Sequence, residues 1–454
     1  MNFAIVRYLI GWMLGIESIF LLLPALTAVI YGEPELPAYL IAAAISLAGA
    51  ALLCHRKPKN TRFYAREGYV TVALCWLILA VIGALPFVLS REIPFFIDAL
   101  FETVSGFTTT GATILGDVEA LSHASMLWRC LTHWVGGMGV LVFMLIVLPL
   151  AGGQTIFLMR AESPGPAVSK MSPHMRDTAT ILYAIYFGLT VLQMILLLIG
   201  GMPLFDAICV SLGTAGTGGF GNWNDSIAHY NSAYLQNVIT VFMILFGINF
   251  SAYFLILTRK FRQAFRIEEI RVYLGVIFVF AGLIAFNVRP MFGSLRESFH
   301  HALFQVASII TTTGFSTVDF DRWPTFSRAL LVLLMFIGAC AGSTGGGIKC
   351  SRILLLGKSV KKEMMCLIHP RLVRVNKMDG QRVPHEVMRS INVFVVAYAF
   401  IFILSLLIIS LNCEDLVTCF TSVATTLNNV GPGLSLCGPT CNFDFFPPLS
   451  KCVL

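Results

Sequence analysis

Four segments of this chain share one layout: DALFETVSGFTTTG (Asp98 to Gly111), DAICVSLGTAGTGG (Asp206 to Gly219), HALFQVASIITTTG (His301 to Gly314) and TCFTSVATTLNNVG (Thr418 to Gly431). In each, the closing glycine stands thirteen residues after the first position. A half-apolar run of about ten residues is too short to cross a bilayer, which takes about 20 helical residues. Each run ends in polar or small residues and then Gly, between two much longer apolar segments. The pattern predicts a re-entrant helix followed by a strand, a backbone path tolerated at membrane depth only where it lines a wet cavity. Fourfold repetition decides the architecture before any single residue does.

Composition supports a membrane setting. Hydrophobic residues make up 57% of the 454 and charged residues 12%, a balance outside the range of soluble domains. The net charge of +7 invites a nucleic-acid reading, but the placement of the basic residues argues against it. Arg7 and the stretches 55–68, 153–176, 259–271 and 348–389 hold 24 of the 31 Lys and Arg residues. The positive-inside rule makes those stretches cytoplasmic, N-terminus included, so the basic residues set topology rather than bind nucleic acid. The twelve cysteines are scattered, mostly within apolar runs, and form no CxxC pair. Cys437 and Cys441 fall on the expected outer side, where an oxidising compartment would let them pair. The first apolar stretch, 5–30, exceeds a signal-peptide core and lacks a small-residue cleavage site, which marks a retained helix.

The expected fold is therefore an all-α integral membrane protein: two N-terminal helices, then four helix/pore-helix/helix repeats around one pore. Residues 1–68 hold helices at 3–31 and 36–54 and a basic loop. Repeat one covers 69–152, with an entering helix at 69–89 and a leaving helix at 121–151. Repeat two covers 176–258, with helices at 178–200 and 232–258. Repeat three covers 271–368, with helices at 271–288 and 325–368. Repeat four covers 390–454 and enters at 391–411. Every entering helix starts on the basic side, so all four copies point the same way, unlike the inverted repeats of many carriers.

A short helix that enters from outside and stops at half depth aims its C-terminal carbonyls, carrying about half a negative charge, at the centre. The strand that follows must turn main-chain oxygens inward to replace an ion's hydration shell, and glycine permits the dihedrals this requires. The expected filter comprises Thr109, Thr110 and Gly111; Thr217, Gly218 and Gly219; Thr312, Thr313 and Gly314; and Asn429, Val430 and Gly431. Small residues at membrane depth also serve close helix packing, but four copies at one spacing favour the pore. Asp98 and Asp206 open the first two runs, where an acidic side chain caps a helix; attraction of cations to the outer mouth is the alternative. His301 and Thr418 hold that place in the other two.

These strings carry a resemblance. TTTGA, TGGFG, TTTGF and NNVGPG, with SPGP at Ser163 to Pro166 and GSTGGGIK at Gly342 to Lys349, resemble the TrkH-type subunits of the Trk/Ktr/HKT superfamily of potassium uptake proteins. The similarity spans nearly the whole chain. It implies a K⁺-translocating subunit of the bacterial inner membrane, a homodimer with one pore per protomer, working with a cytoplasmic ring that binds nucleotides. No covalent cofactor is implied, and K⁺ is the transported ion. In that superfamily glycine at all four filter positions goes with K⁺ preference, and this chain has all four. A Na⁺-permeable or H⁺-coupled transporter of the same fold remains the alternative.

The leaving helix of repeat three is interrupted by Ala341, Gly342, Ser343, Thr344, Gly345, Gly346 and Gly347. Such a stretch at half depth must line a cavity, and a flexible loop below the filter serves as a gate. A phosphate-binding loop would need Lys and then Ser or Thr after the last glycine; here Ile348 and Lys349 follow. Lys349 either snorkels to the inner interface or takes an electrostatic part in closure. Arg129 and His133 are read as functional intramembrane groups or as capping and lipid-headgroup contacts. An enzyme would need a nucleophile, a metal cluster or paired acids; the nine histidines form no HExxH. Only 23 residues follow Gly431, against about forty available after Gly111. The last helix of repeat four, which in the resembling family carries an arginine near the pore, is therefore expected to be missing, with weak or absent transport as the consequence.

Overall fold

The computed structural model describes residues 2–58, 64–137, 139, 175–369, 371 and 375–454. Its first two helices, Phe3–Tyr31 and Leu36–Cys54, form an antiparallel hairpin. Gly32, in the left-handed region at φ 68°, ends the first, and Glu33 N–H returns to Ala28 O at 2.9 Å. Small residues let the pair approach closely: Ala42, Ala43 and Ala50, with the larger Tyr39, pack in one core with Leu14, Leu21 and Ala25. Ser46 Oγ donates to Leu14 O at 2.8 Å. The hairpin leans on repeat one through Tyr39 OH, 2.8 Å from Ser125 Oγ.

The repeats follow in order. The entering helices are Ala65–Ser90, Met175–Ile199, Glu268–Val288 and His385–Ser410. The short helices are Phe96–Phe107, Leu204–Ala215, Leu295–Ile310 and Leu416–Leu427. Among the described residues six helices are long and apolar enough to cross a membrane, including both N-terminal helices and all four entering ones. Their lipid-type faces remain apolar and exposed, as at Leu77, Phe286, Val396 and Phe400.

The leaving helices depart from the simple expectation. In repeat one the helix His123–Gly137 starts as expected; residues 138 and 140–151 and the SPGP string lie outside the described residues. In repeat two the single helix expected over 232–258 is instead two, Ala233–Phe246 and Phe250–Leu257, bent by 94°. Asn249 caps the second piece, its Oδ1 accepting from Ser251 N–H at 2.8 Å. The carbonyl freed at Gly247 accepts from Cys340 N–H at 3.0 Å, so the break belongs to the Gly-rich loop of repeat three. That loop divides the third leaving helix into Thr325–Ile337 and Cys350–Ile368. After the fourth short helix the last element is Pro448–Val453.

One departure from an all-helical chain lies on the basic side. Lys377–Met378 pairs antiparallel with Gln381–Arg382 around Asp379 and Gly380, both at positive φ, the turn chemistry that suits a two-residue hairpin.

Candidate ion pore

All four short helices end in the same way. Their C-caps are followed by Thr109, Thr217, Thr312 and Asn429, each in the left-handed region at φ 58°, 53°, 59° and 59°. The next amide in each repeat returns five residues along the helix: Thr110 to Ser105 O at 2.8 Å, Gly218 to Gly213 O at 3.0 Å, Thr313 to Ser308 O at 2.8 Å and Val430 to Thr425 O at 2.8 Å. Each left-handed residue also bonds back to the carbonyl three before it, which completes a Schellman motif. Glycine usually occupies that position; a β-branched residue there costs on the order of 1–3 kcal/mol and persists only where its surroundings fix it. The next glycines, Gly111, Gly219, Gly314 and Gly431, again have positive φ, at 78°, 78°, 85° and 93°. Dihedrals of alternating hand thus run through each three-residue string.

The strings meet in a ring. A Cβ placed on Gly111 would lie 1.9 Å from Gly218 O, on Gly219 1.8 Å from Thr313 O, on Gly314 2.5 Å from Val430 O, and on Gly431 2.9 Å from Thr110 O. Each glycine therefore abuts the carbonyl just before the glycine of the next repeat, in the cyclic order one, two, three, four, one. All four glycines line a single cavity of about 120 Å³, together with Phe220, Pro432 and Asn442.

Behind the ring the repeats are not alike. In repeat one Glu102 and Arg129 form an ion pair at 2.7 Å with both side chains almost wholly buried. Glu102 also accepts from Thr113 Oγ1 and Ile114 N–H, both at 3.0 Å, and so holds the segment just past Gly111. The Arg129 guanidinium stacks 4.0 Å over the Phe220 ring of repeat two. His133 donates from Nδ1 to Gly106 O at 2.8 Å. Neither Arg129 nor His133 reaches lipid headgroups, because both are buried between the first two repeats. Glu102 was missed in the sequence reading, since a carboxylate inside a short apolar helix carries no spacing signal of its own.

The capping role expected of Asp98 and Asp206 falls elsewhere. Their helices begin two residues earlier, so each carboxylate sits within the first turn instead of before it. Asp98 accepts from Lys451 Nζ at 2.7 Å. Asp206 accepts from Asn222 Nδ2 and Tyr230 OH, both at 2.7 Å. The side-chain caps present are Ser294, which accepts from Glu297 N–H in repeat three, and Asp415, which accepts from Val417 and Thr418 N–H in repeat four. His301 packs against Phe292 and meets Thr317 Oγ1 at 3.0 Å. Cys437 and Cys441 are both free thiols.

The Gly-rich loop lies directly against the ring residues. Gly346 N–H donates to Thr312 Oγ1 at 2.6 Å, and a Cβ on Gly346 would come within 2.6 Å of Asn428 O. A Cβ on Gly345 would stand 2.8 Å from Thr311 O. Gly342 O accepts from Phe250 N–H at 2.9 Å and Thr344 Oγ1 donates to Phe246 O at 3.3 Å, both at the break of repeat two. Ser343 Oγ turns back to Cys340 O at 2.7 Å. Lys349 Nζ donates to Gly345 O within the loop, so it faces inward and does not snorkel. Gly342, Gly347 and Lys349 all have positive φ.

The chain is similar to known proteins over nearly its whole length. The family described as TrkH, cation transport protein, matches residues 37–454. The chain is 37% identical over its whole length to the "Trk system potassium uptake protein TrkH" of Salmonella typhimurium, covering 95% of that protein. It is 33% identical to the "Trk system potassium uptake protein TrkG" of Escherichia coli, over 99% of the chain and 93% of that protein. The crystal structure of the potassium transporter TrkH from Vibrio parahaemolyticus matches with a TM-score of 0.89 at 32% identity, over all of this chain and 95% of that one. The chain belongs to the TrkH family of cation transport proteins.

Proposed function

We propose that this chain takes up potassium across the bacterial cytoplasmic membrane, through a pore whose filter is the ring of Thr109, Thr110 and Gly111, Thr217, Gly218 and Gly219, Thr312, Thr313 and Gly314, and Asn429, Val430 and Gly431. The observation that carries this reading is the cyclic contact of four glycines with four main-chain carbonyls around one cavity. Four helix C-termini directed at that ring supply a negative field, and carbonyl oxygens replace water around a dehydrated monovalent cation. Glycine in all four repeats leaves the ring without side chains at its tightest point. The loop of Gly342, Ser343, Thr344, Gly345, Gly346, Gly347 and Lys349 acts as the gate, because it lies against Thr312 and Asn428.

The domain plan follows the same reading: an N-terminal hairpin within 1–68, then pore repeats at 69–152, 176–258, 271–368 and 390–454. Members of a Trk system work with other subunits. For this chain the partners are a second copy and a cytoplasmic nucleotide-binding ring docked on the basic side, with lipid around the apolar helices. The test is ⁸⁶Rb⁺ uptake into proteoliposomes with competing ions. Competition by K⁺ but not by Na⁺ is expected, whereas equal competition favours a Na⁺-permeable pore and uptake driven by a proton gradient favours H⁺ coupling.

A further inference from the structure

The gate reading leaves one buried acid unexplained. Glu269 lies in the first turn of the third entering helix, 2% exposed, and one carboxylate oxygen accepts two main-chain hydrogen bonds. The donors are Ala341 N–H at 2.7 Å and Ser351 N–H at 3.0 Å. These amides stand at the two ends of the Gly-rich loop, ten residues apart in sequence and joined through one oxygen. Cys350 N–H to Ala339 O at 2.9 Å closes the same neck from within. Between these ties the loop carries positive φ at Gly342, Gly347 and Lys349 and touches the ring at Thr312. A segment of this kind pivots easily once its neck is open, and the neck is held by a carboxylate whose bonds are charge-assisted and therefore stronger than neutral ones.

The next residue toward the cytoplasm connects the neck to the basic surface. Glu268 pairs with Lys358 at 2.6 Å, on the helix that follows the loop, and Lys358 Nζ also donates to Lys377 O at 2.8 Å. Glu268 N–H donates to Asp379 Oδ1 at 2.7 Å, so the turn of the Lys377–Arg382 hairpin caps the helix that carries Glu269. A displacement of that hairpin pulls on the helix start, one residue from the carboxylate that ties the loop.

We propose that Glu269 is the latch of the intramembrane loop, a positioning residue that keeps the gate closed by binding both of its ends, with the Lys377–Arg382 hairpin as its cytoplasmic handle. This deepens the pore reading and rests on it. Loss of both bonds together shifts the closed-to-open balance by about tenfold.

The test uses the full chain in proteoliposomes, with ⁸⁶Rb⁺ flux and amide hydrogen exchange over 339–351 measured on the same preparations. Glu269→Ala is expected to raise flux about tenfold and to strip protection from Ala341 and Ser351. Glu269→Gln, which keeps an acceptor oxygen but loses the charge, is expected to fall between wild type and Glu269→Ala. Glu269→Asp, which keeps the charge but retracts the oxygen by one methylene, shifts in the direction of Ala and serves if the Ala variant does not fold. Unchanged protection and flux in folded Glu269→Ala or Glu269→Asp overturn the latch. Lost protection with no ⁸⁶Rb⁺ flux in wild type or any variant overturns the pore reading beneath it.

Discussion

At the residue scale, the ring glycines are set by contact as well as by conformation. Gly219 combines φ 78° with a neighbouring carbonyl 1.8 Å from where a Cβ would stand, and that carbonyl is main chain and cannot swing aside. Gly219→Ala should therefore lower ⁸⁶Rb⁺ uptake at least tenfold, whereas Gly282→Ala, with nothing within 4 Å of the added methyl, should leave it unchanged. Gly314→Ser should erode K⁺ preference over Na⁺ in the same assay, because its oxygen enters a ring built for carbonyls. The Glu102–Arg129 pair gives a stability prediction. Removing one partner strands a buried charge, and Glu102→Ala should destabilise the protein by about 3–5 kcal/mol, read as a lowered Tm in detergent. The glycines were legible in the sequence because they recur at one spacing. Glu102 was not, because its role depends on a helix that lies 27 residues further along the chain.

At the element scale, the short helices were legible in number, direction and C-terminal ends, since a Schellman ending needs only a local pattern. Their N-termini were not, because the start depends on which nearby residue finds a free amide. Asp415 illustrates this: hydrogen bonds from Thr418 and then Ser435 hold its carboxyl down at about 2, below the usual 3.8. A depressed carboxyl stabilises the fold above its unfolded value and loses that contribution as pH falls through the folded one. The fourth pore helix should therefore keep constant amide protection from pH 8 down to about 4, and lose it progressively between about 4 and 2. Asp415→Ala should remove that acid dependence. The Gly-rich loop was legible as an interruption, but the matching 94° break in repeat two was not. Its sequence, Gly247-Ile248-Asn249, looks like ordinary membrane helix until Cys340 claims the carbonyl of Gly247. Deleting Gly342 to Gly347 should raise flux while leaving the K⁺ over Na⁺ ratio intact, because the loop touches the ring at Thr312 without forming it.

At the scale of the whole molecule, the fourfold plan is quasi-symmetric at the centre and diverges outward. The ring contacts repeat in cyclic order, yet the ion pair sits behind repeat one and the loop crosses beneath repeats three and four. Internal repetition made the centre readable from sequence, and the same repetition hid the asymmetry, since each specialised residue occurs once. The central claim is that four main-chain carbonyls before four glycines hold a dehydrated potassium ion. The most direct measurement is anomalous diffraction from crystals of this protein grown in Rb⁺ or Tl⁺. A potassium filter here predicts an anomalous peak on the axis between Gly111, Gly219, Gly314 and Gly431, lost when Na⁺ replaces the heavy ion. No peak on that axis, with ordered heavy ions bound elsewhere in the molecule, would contradict it.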